Sequence, residues 1–199
     1  MPNVDTRNGL KPIRYRNGSP YNGAHNLYFV PTAYGTAMFI GDVVTLKGSI
    51  GSAGVKVNGV DVEGMPEIVA FAASDALVGG VIVGFYPNPD GLSTPHKPAS
   101  TGAIVMVADS ADLIFEIQEG TGTPFTATMA GLNVDFSVGT GNATTGQSAT
   151  VLDVGVTPVT TTLTARLLRL VPKVGNVIGS FARWEIRFVE HSDISATGI

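Results

Sequence analysis

Four carboxylates lie close together in residues 101–120, and they are the residues of this sequence whose spacing best suits chemistry. Asp109, Asp112, Glu116 and Glu119 flank a short polar link. Paired carboxylates can act as acid and base in a glycosidase, and grouped ones can bind calcium. The Asp-x-Asp-x-Asp-Gly pattern of a calcium loop is absent from the sequence. The favoured interpretation is an acidic contact edge that discourages unwanted strand pairing, or that docks basic residues of a neighbouring subunit.

The other chemically capable residues are scattered. His25, His96 and His191 lack the spacing of metal ligands, and the sequence has no cysteine. His191-Ser192-Asp193 contains the residue types of a catalytic triad, but neighbours in one strand or tail cannot converge as a triad requires. In the glycine-rich residues 139–146 the third glycine is misplaced for a phosphate loop and no helix pattern follows, so they predict a β-turn loop. We therefore expect no catalytic residues, no metal, no cofactor and no enzymatic activity.

Composition indicates a β-rich chain that is partly covered by a partner. The 199 residues are 44% hydrophobic, which is enough for a sizeable core. Only 14% are charged, against roughly 25% in ordinary soluble domains. The longest apolar run, residues 76–86, contains glycines and is shorter than the ~18 residues that cross a bilayer. The first ten residues lack the apolar centre of a signal peptide. We therefore expect assembly in a cytoplasm without a membrane partner.

The first 26 residues predict an extended N-terminal arm, because they have no apolar period and are rich in Asn, Gly, Pro and Arg. Residues 1–41 carry four bases and one acid, a net charge of +3, whereas residues 61–153 carry eleven acids and one base, a net charge of −10. A frayed terminus and a nucleic-acid-binding arm are alternatives; the acidic body and the lack of a basic cluster argue against nucleic acid. The candidate docking residues of the arm are Arg7, Lys11, Arg14, Tyr15, Arg16 and Tyr21.

Residues 27–191 predict an all-β domain, a β-sandwich or jelly-roll-like fold of about ten short strands, followed by a flexible tail, residues 192–199. Gly41-Asp42 predicts a turn or bulge, and Asn58-Gly59 between valines predicts a two-residue hairpin turn. The predicted strand regions are residues 27–32, 36–49, 55–62, 68–73, 77–86, 104–107, 113–118, 132–138, 149–154, 163–171 and 181–191.

Two of these regions carry the clearest patterns. Residues 101–120 contain two apolar runs around the polar link 109–112, and they predict a β-hairpin that must join a larger sheet. In the last region Trp184, Ile186 and Phe188 alternate with charged residues. This alternation predicts a half-buried strand with a charged outer face.

Four segments in order resemble the tailed-bacteriophage head decoration, or cement, proteins: LYFVPTAYGTAMFIGDVVTLKGS, ALVGGVIVGFYPNPDG, IVMVADSADLIFEIQEG and FARWEIRFVEHSD. The resemblance covers most of the chain. It rests on the character of these four segments and on their order, and not on a diagnostic motif. It implies a structural protein of the virion that sits on the outer surface of an icosahedral capsid and bridges and stabilises major capsid protein subunits. It also implies a homo-oligomer, a dimer or trimer, whose terminal arm grips the shell. No catalytic residues come with this family.

Two other functions remain open at the level of sequence. A virion surface adhesin would bind host glycans through the long loops 87–100 and 139–148, although these loops contain no Trp. A hydrolase would use Asp112 and Glu116, and it is the least favoured reading.

Overall fold

The computed structural model describes residues 3–72, 77–89 and 91–195, and it is nearly all β, with 40% strand and 3% helix. The all-β prediction is confirmed at this level. Ser74-Asp75, between the predicted strand regions 68–73 and 77–86, and the tail residues 196–199 lie outside the described residues. The described strands are β1 (Lys11–Tyr15), β2 (Asn26–Val30), β3 (Val43–Ile50), β4 (Lys56–Val57), β5 (Val60–Asp61), β6 (Pro66–Ala70), β7 (Gly80–Phe85), β8 (Ala103–Ala108), β9 (Leu113–Gln118), β10 (Asn133–Val134), β11 (Phe136–Ser137), β12 (Val151–Leu152), β13 (Ala165–Leu170) and β14 (Arg183–Phe188). Two short 3-10 turns span Ala127–Met129 and Ser192–Ile194.

Five strands close into a small barrel in the order β2-β6-β3-β7-β8. The pairs are antiparallel except between β2 and β6, which run parallel where the barrel closes. Closure removes the unpaired edges that an open sheet would present. Valine and isoleucine side chains fill the interior, among them Val30, Ile68, Ile82 and Val105.

A second, five-stranded sheet has the order β1-β9-β14-β13-β10 and packs against the barrel. Its inner face supplies most of the larger core, a cluster of buried side chains that includes Trp184, Phe115 and Phe188 of the sheet and Val43 and Val81 of the barrel strands. The predicted alternation in β14 is confirmed on its apolar side, because all three of its large apolar side chains are buried. The barrel and the sheet therefore share one core.

The structure confirms several predicted turns. Asn58 and Gly59 join β4 to β5 with φ angles of 51° and 79°, as a turn that matches strand twist requires. Gly41 also has a positive φ, 93°, in the turn before β3. In the predicted β-turn loop, the side chain of Asn142 accepts hydrogen bonds from the backbone amides of Thr144 and Thr145.

The predicted hairpin of residues 101–120 is wrong in its pairing, although both of its strands exist. β8 pairs with β2 and β7 in the barrel, whereas β9 pairs with β1 and β14 in the sheet. Since both edges of each strand are occupied, β8 and β9 cannot pair with each other. The link between them instead carries the chain from the barrel to the sheet.

The predicted arm is extended, but it lies on its own domain. Residues 11–15 form β1, which pairs antiparallel with β9 from Lys11 opposite Glu116 to Tyr15 opposite Leu113. Just before this strand, Leu10 is 2% exposed and belongs to the larger core. The segment therefore contributes to the folded domain.

Candidate functional site

The first two predicted carboxylates, Asp109 and Asp112, lie in the link between β8 and β9 and make different contacts. Asp109 accepts hydrogen bonds from Asn26 Nδ2 at 2.8 Å and from the Tyr28 hydroxyl at 2.7 Å. Burial and the hydrogen bond to Asp109 raise the pKa of Tyr28. Asp112 is exposed, with Oδ1 3.9 Å from Arg16 Nη1. Asp109 therefore binds the link to strand β2 of the barrel, whereas Asp112 forms a long, exposed ion pair with Arg16 of the N-terminal segment.

The other two predicted carboxylates are separated from these and from each other. Glu116 accepts from Arg183 Nη1 at 3.0 Å on the outer face of the sheet. Glu119 is 0% exposed and accepts from Trp184 Nε1 at 3.1 Å and from the Phe125 amide at 3.2 Å. Burial raises the pKa of Glu119, partly offset by these hydrogen bonds. A fully buried carboxylate cannot belong to a contact edge, so that prediction is wrong for Glu119.

The four acids thus do not converge on one site. Within residues 3–72, 77–89 and 91–195, no group of three or more His, Asp or Glu residues is placed to hold a metal ion. The geometry of the described acids supports neither a calcium site nor a shared acid–base pair.

The predicted docking residues of the arm divide into two sets. Arg14 crosses β9 to place Nη2 2.5 Å from Glu185 Oε2, and the rings of Tyr15 and Tyr21 lie 6.4 Å apart against the core. These three side chains are half-buried within their own domain. The side chains left exposed to a partner are Arg7, Lys11 and Arg16.

Among the described residues, Val174 in the loop from β13 to β14 is the most exposed large apolar side chain. Val174, Val177 and Ile178 of this loop are 103%, 52% and 48% exposed, and Val4 beside them is 70% exposed. The side chain of Asn3 joins the two segments, because it donates to the Val177 carbonyl at 2.7 Å and accepts from the Val177 amide at 3.1 Å. We call Val4, Val174, Val177 and Ile178 the apolar tip.

Sequence analysis missed the apolar tip, because it assigns no role to residues 172–180, which lie between the predicted strand regions 163–171 and 181–191. The available signal was three β-branched residues in a short loop that also contains Gly175 and Gly179. Contact with the N-terminal residues, 174 positions away in the sequence, has no local signal.

A cleft of about 560 Å³ lies under the long loop 87–100. Exposed Tyr86 and Leu92 line it, together with His96, whose ring stacks on Phe39 at 4.9 Å. Lys97 at its base is buried, and its Nζ donates to three backbone carbonyls, those of Tyr34, Thr36 and Pro98, at 3.1, 2.9 and 3.1 Å. Burial lowers the pKa of Lys97 to about 8. This lysine holds the loop in place and has no donor left for a ligand.

Asp42 occupies the turn before β3 and is 7% exposed. Its Oδ2 accepts from the Phe39 amide at 2.7 Å, and the Ser148 side chain also hydrogen-bonds to this carboxylate. Its Oδ1 is buried and has no hydrogen-bond partner among the described residues. Burial raises the pKa of Asp42 to about 6, although the two hydrogen bonds partly oppose the shift.

This raised pKa predicts that an Asp42→Asn variant is more stable than the wild type at neutral pH. The folded protein holds the proton on Asp42 more tightly than the unfolded chain does, in which the pKa of this aspartate is 3.8. Stability is therefore lost as pH rises from about 4 through about 6, and the loss persists above. At about 1.4 kcal/mol per pKa unit, the variant should gain about 1–3 kcal/mol in the free energy of unfolding at pH 7.5 and almost nothing at pH 4.

Urea unfolding at the two pH values measures this difference. Asp61→Asn is the matched control, because Asp61 also accepts a backbone hydrogen bond but is exposed. Equal gains at pH 4 and pH 7.5, or no gain at pH 7.5, would contradict the burial argument.

Comparison with protein families, characterised proteins and solved structures found no match to this chain. In the part of the chain that the structure describes, no helix is long and apolar enough to cross a membrane.

Proposed function

We propose that this protein is a structural virion subunit that binds the outside of an icosahedral phage capsid and bridges and stabilises major capsid protein subunits. The observation that supports the proposal best is the apolar tip, where the loop from β13 to β14 presents β-branched side chains to solvent. A stable β domain that exposes such residues has a surface suited to burial against a partner.

The exposure of the apolar tip distinguishes it from ordinary scattered surface residues. Single exposed apolar side chains are normal, whereas a contiguous group often marks an interaction site. Val4 and Val174 line the same shallow groove of about 220 Å³, together with Asn3 and Lys173. The groove thus has apolar walls and a charged rim, as the centre and edge of a protein interface do.

The charges of the N-terminal segment fit a secondary role in this interface. Arg14 is paired with Glu185 inside the domain, and Arg16 lies near Asp112, so these bases are not all available for a partner. We propose that Lys11, which is exposed and lies opposite Glu116 toward the end of β9 nearer the β13–β14 loop, belongs to the rim of the contact while the apolar tip forms its centre. Many such contacts repeated over a shell would give strong binding through multivalency, even if each is weak. A jelly-roll-like or sandwich architecture and a homo-oligomeric state stay predictions within this proposal.

Charged substitutions in the apolar tip test the proposal. We expect Val174→Asp together with Ile178→Asp to weaken binding to undecorated capsids by about 100-fold, since burying each of these side chains contributes about 1.5–3 kcal/mol. Thermal unfolding should be unchanged, because both side chains are exposed in the free protein.

Val156→Asp serves as the matched control, since Val156 is 43% exposed and lies in another loop. Cosedimentation with purified capsids measures the binding. If the double variant bound capsids as tightly as the control, the apolar tip would not be the contact surface.

Binding of host glycans by a virion adhesin is the second candidate function, and the cleft under the loop 87–100 favours it. Tyr86 is exposed at this cleft and provides an aromatic face of the kind on which sugars stack. A glycan array probed with the wild type and with Tyr86→Ala distinguishes this function. Absence of any Tyr86-dependent signal, with capsid binding retained, would exclude it.

A further inference from the structure

A second, smaller pocket lies beside Asp42, away from the apolar tip. It has a volume of about 250 Å³, below the roughly 300–1,000 Å³ of sites for drug-sized ligands. Apolar side chains form most of its walls, and threonines complete the lining: Thr36, Ala37, Phe39, Val43, Ala70, Phe71, Val138, Thr140 and Thr150. The pocket is suited to a single side chain or a short alkyl group.

Two buried polar atoms in this pocket have no hydrogen-bond partner among the described residues. They are Asp42 Oδ1 and Thr150 Oγ1, and their residues are 7% and 1% exposed. Buried polar atoms in native proteins nearly always have a partner. Two such acceptors in the lining of one pocket indicate a ligand that carries more than one donor.

The charges of the lining indicate that this ligand is a cation. Asp42 is the one titratable residue among the described residues that line the pocket, so no lysine, arginine or histidine there neutralises it. A buried carboxylate gains most from an opposite charge in direct contact. A single water would leave most of the pocket empty, since one water occupies about 30 Å³.

The geometry favours an ammonium group over a guanidinium or a divalent metal. Asp42 Oδ2 already accepts from the Phe39 amide, so a two-pronged arginine pair would have to share that oxygen, whereas Oδ1 has no partner among the described residues. An ammonium needs a single carboxylate oxygen and can donate a second hydrogen bond to the Thr150 hydroxyl. Calcium requires six to eight oxygen ligands, far more than this lining offers. The apolar walls suit the methylene stem of a lysine.

We propose that the pocket beside Asp42 binds a primary ammonium group on an alkyl stem, and that this group is a lysine side chain of the partner shell protein. The identity of the partner rests on the proposed function, whereas binding of the ammonium group does not. The contact would add charge-specific recognition to the apolar tip.

The first experiment uses n-butylammonium chloride as a mimic of the lysine side chain. We expect saturable shifts of the amide signals of Phe39, Val43 and Phe71 in NMR spectra at pH 7.5, because these residues line the pocket. Asp42→Asn should weaken binding at least tenfold, while Asp61→Asn should not change it. At pH 5 the wild type should bind about tenfold more weakly, since protonation of Asp42 removes the charge.

Three results would overturn the ammonium site. Equal shifts with n-butanol would show that the pocket recognises the alkyl stem alone. Equal shifts with sodium or calcium chloride at matched ionic strength would show an unselective cation site. Unchanged binding of n-butylammonium to Asp42→Asn would place the ligand elsewhere.

The second experiment separates the ammonium site from the proposed function. We expect Asp42→Asn to bind capsids at least tenfold more weakly and the apolar tip variant to bind n-butylammonium normally. Normal capsid binding by Asp42→Asn would overturn the assignment of the lysine to the shell protein. Loss of n-butylammonium binding in the apolar tip variant would overturn the independence of the two surfaces.

Discussion

Removal of residues 1–16 is expected to unfold this protein, and not merely to detach it from a partner. The deletion removes β1 and its hydrogen bonds to β9, and it removes the core side chain of Leu10. It also takes Arg14 away from the buried carboxylate of Glu185. Burial of one leucine contributes about 1.5–3 kcal/mol and each backbone hydrogen bond about 0.5–1.5 kcal/mol, and Glu185 is left with Arg169 as its one ion-pair partner among the described residues. Together these losses approach the 5–15 kcal/mol of total stability that is typical of a domain.

Circular dichroism and urea unfolding of the truncated chain measure this effect. The control is Lys11→Ala together with Arg16→Ala, which removes two exposed charges but keeps the strand, and its free energy of unfolding should stay within about 0.5 kcal/mol of wild type. A truncated chain that unfolds cooperatively at the wild-type midpoint would show that β1 is dispensable. If the prediction holds, a docking role for the N-terminal segment must be tested with charge-reversal variants of the full chain.

Glu185→Ala is expected to cost about 3 kcal/mol of stability at pH 7.5. Glu185 Oε2 lies 2.5 Å from Arg14 Nη2 and 2.9 Å from Arg169 Nε, and its side chain is almost fully buried. Loss of one partner of a buried pair typically costs about 3–5 kcal/mol, because the other charge is left uncompensated. We place the effect at the lower end because the guanidinium of Arg169 is more than half exposed and remains hydrated.

The pH dependence of this variant has a defined sign. Burial alone would raise the pKa of Glu185, but the hydrogen bonds and charges of Arg169 and Arg14 outweigh it and hold the pKa below its usual value. The carboxylate therefore contributes stability above the unfolded-state pKa, and this contribution is lost as pH falls through the folded-state pKa. The difference in the free energy of unfolding between wild type and Glu185→Ala should therefore become smaller at acidic pH.

Urea unfolding from pH 7.5 to pH 3 measures this narrowing, with Glu63→Ala as the exposed control. A Glu185→Ala variant within 0.5 kcal/mol of wild type at pH 7.5 would show that the cluster contributes little. A gap that stays constant with pH would show that the effect comes from packing and not from charge.

The positions of strands were accessible from sequence because strand formation depends on local alternation and on turn residues. The pattern of Trp184, Ile186 and Phe188 identified a buried strand face, and Asn58-Gly59 identified a tight turn. Both signals depend only on a few neighbouring residues, so they can be recognised without knowledge of the rest of the fold.

The pairing of strands was not accessible, and the failed hairpin of residues 101–120 shows why. A short polar link favours a turn, but it does not require that the two strands on either side pair with each other. β8 pairs with β2 and β7, and β9 pairs with β1 and β14, because those pairings bury β8 mainly within the barrel and β9 in the larger core. Burial across the whole chain thus outweighed the local turn signal.

The candidate sites divide in the same way. The sequence alone determined a β-rich chain with few charges, a basic N-terminal segment and no local catalytic motif. Only the tertiary structure decided that Glu119 is buried, that Arg14 pairs with Glu185, and that Asp42 faces a small apolar pocket. Exposure and ion pairing depend on which distant segments pack together, and a single sequence carries no local signal for that. For the same reason the apolar tip, where Asn3 of the N-terminal segment binds Val177 of the loop from β13 to β14, became visible only in the folded molecule.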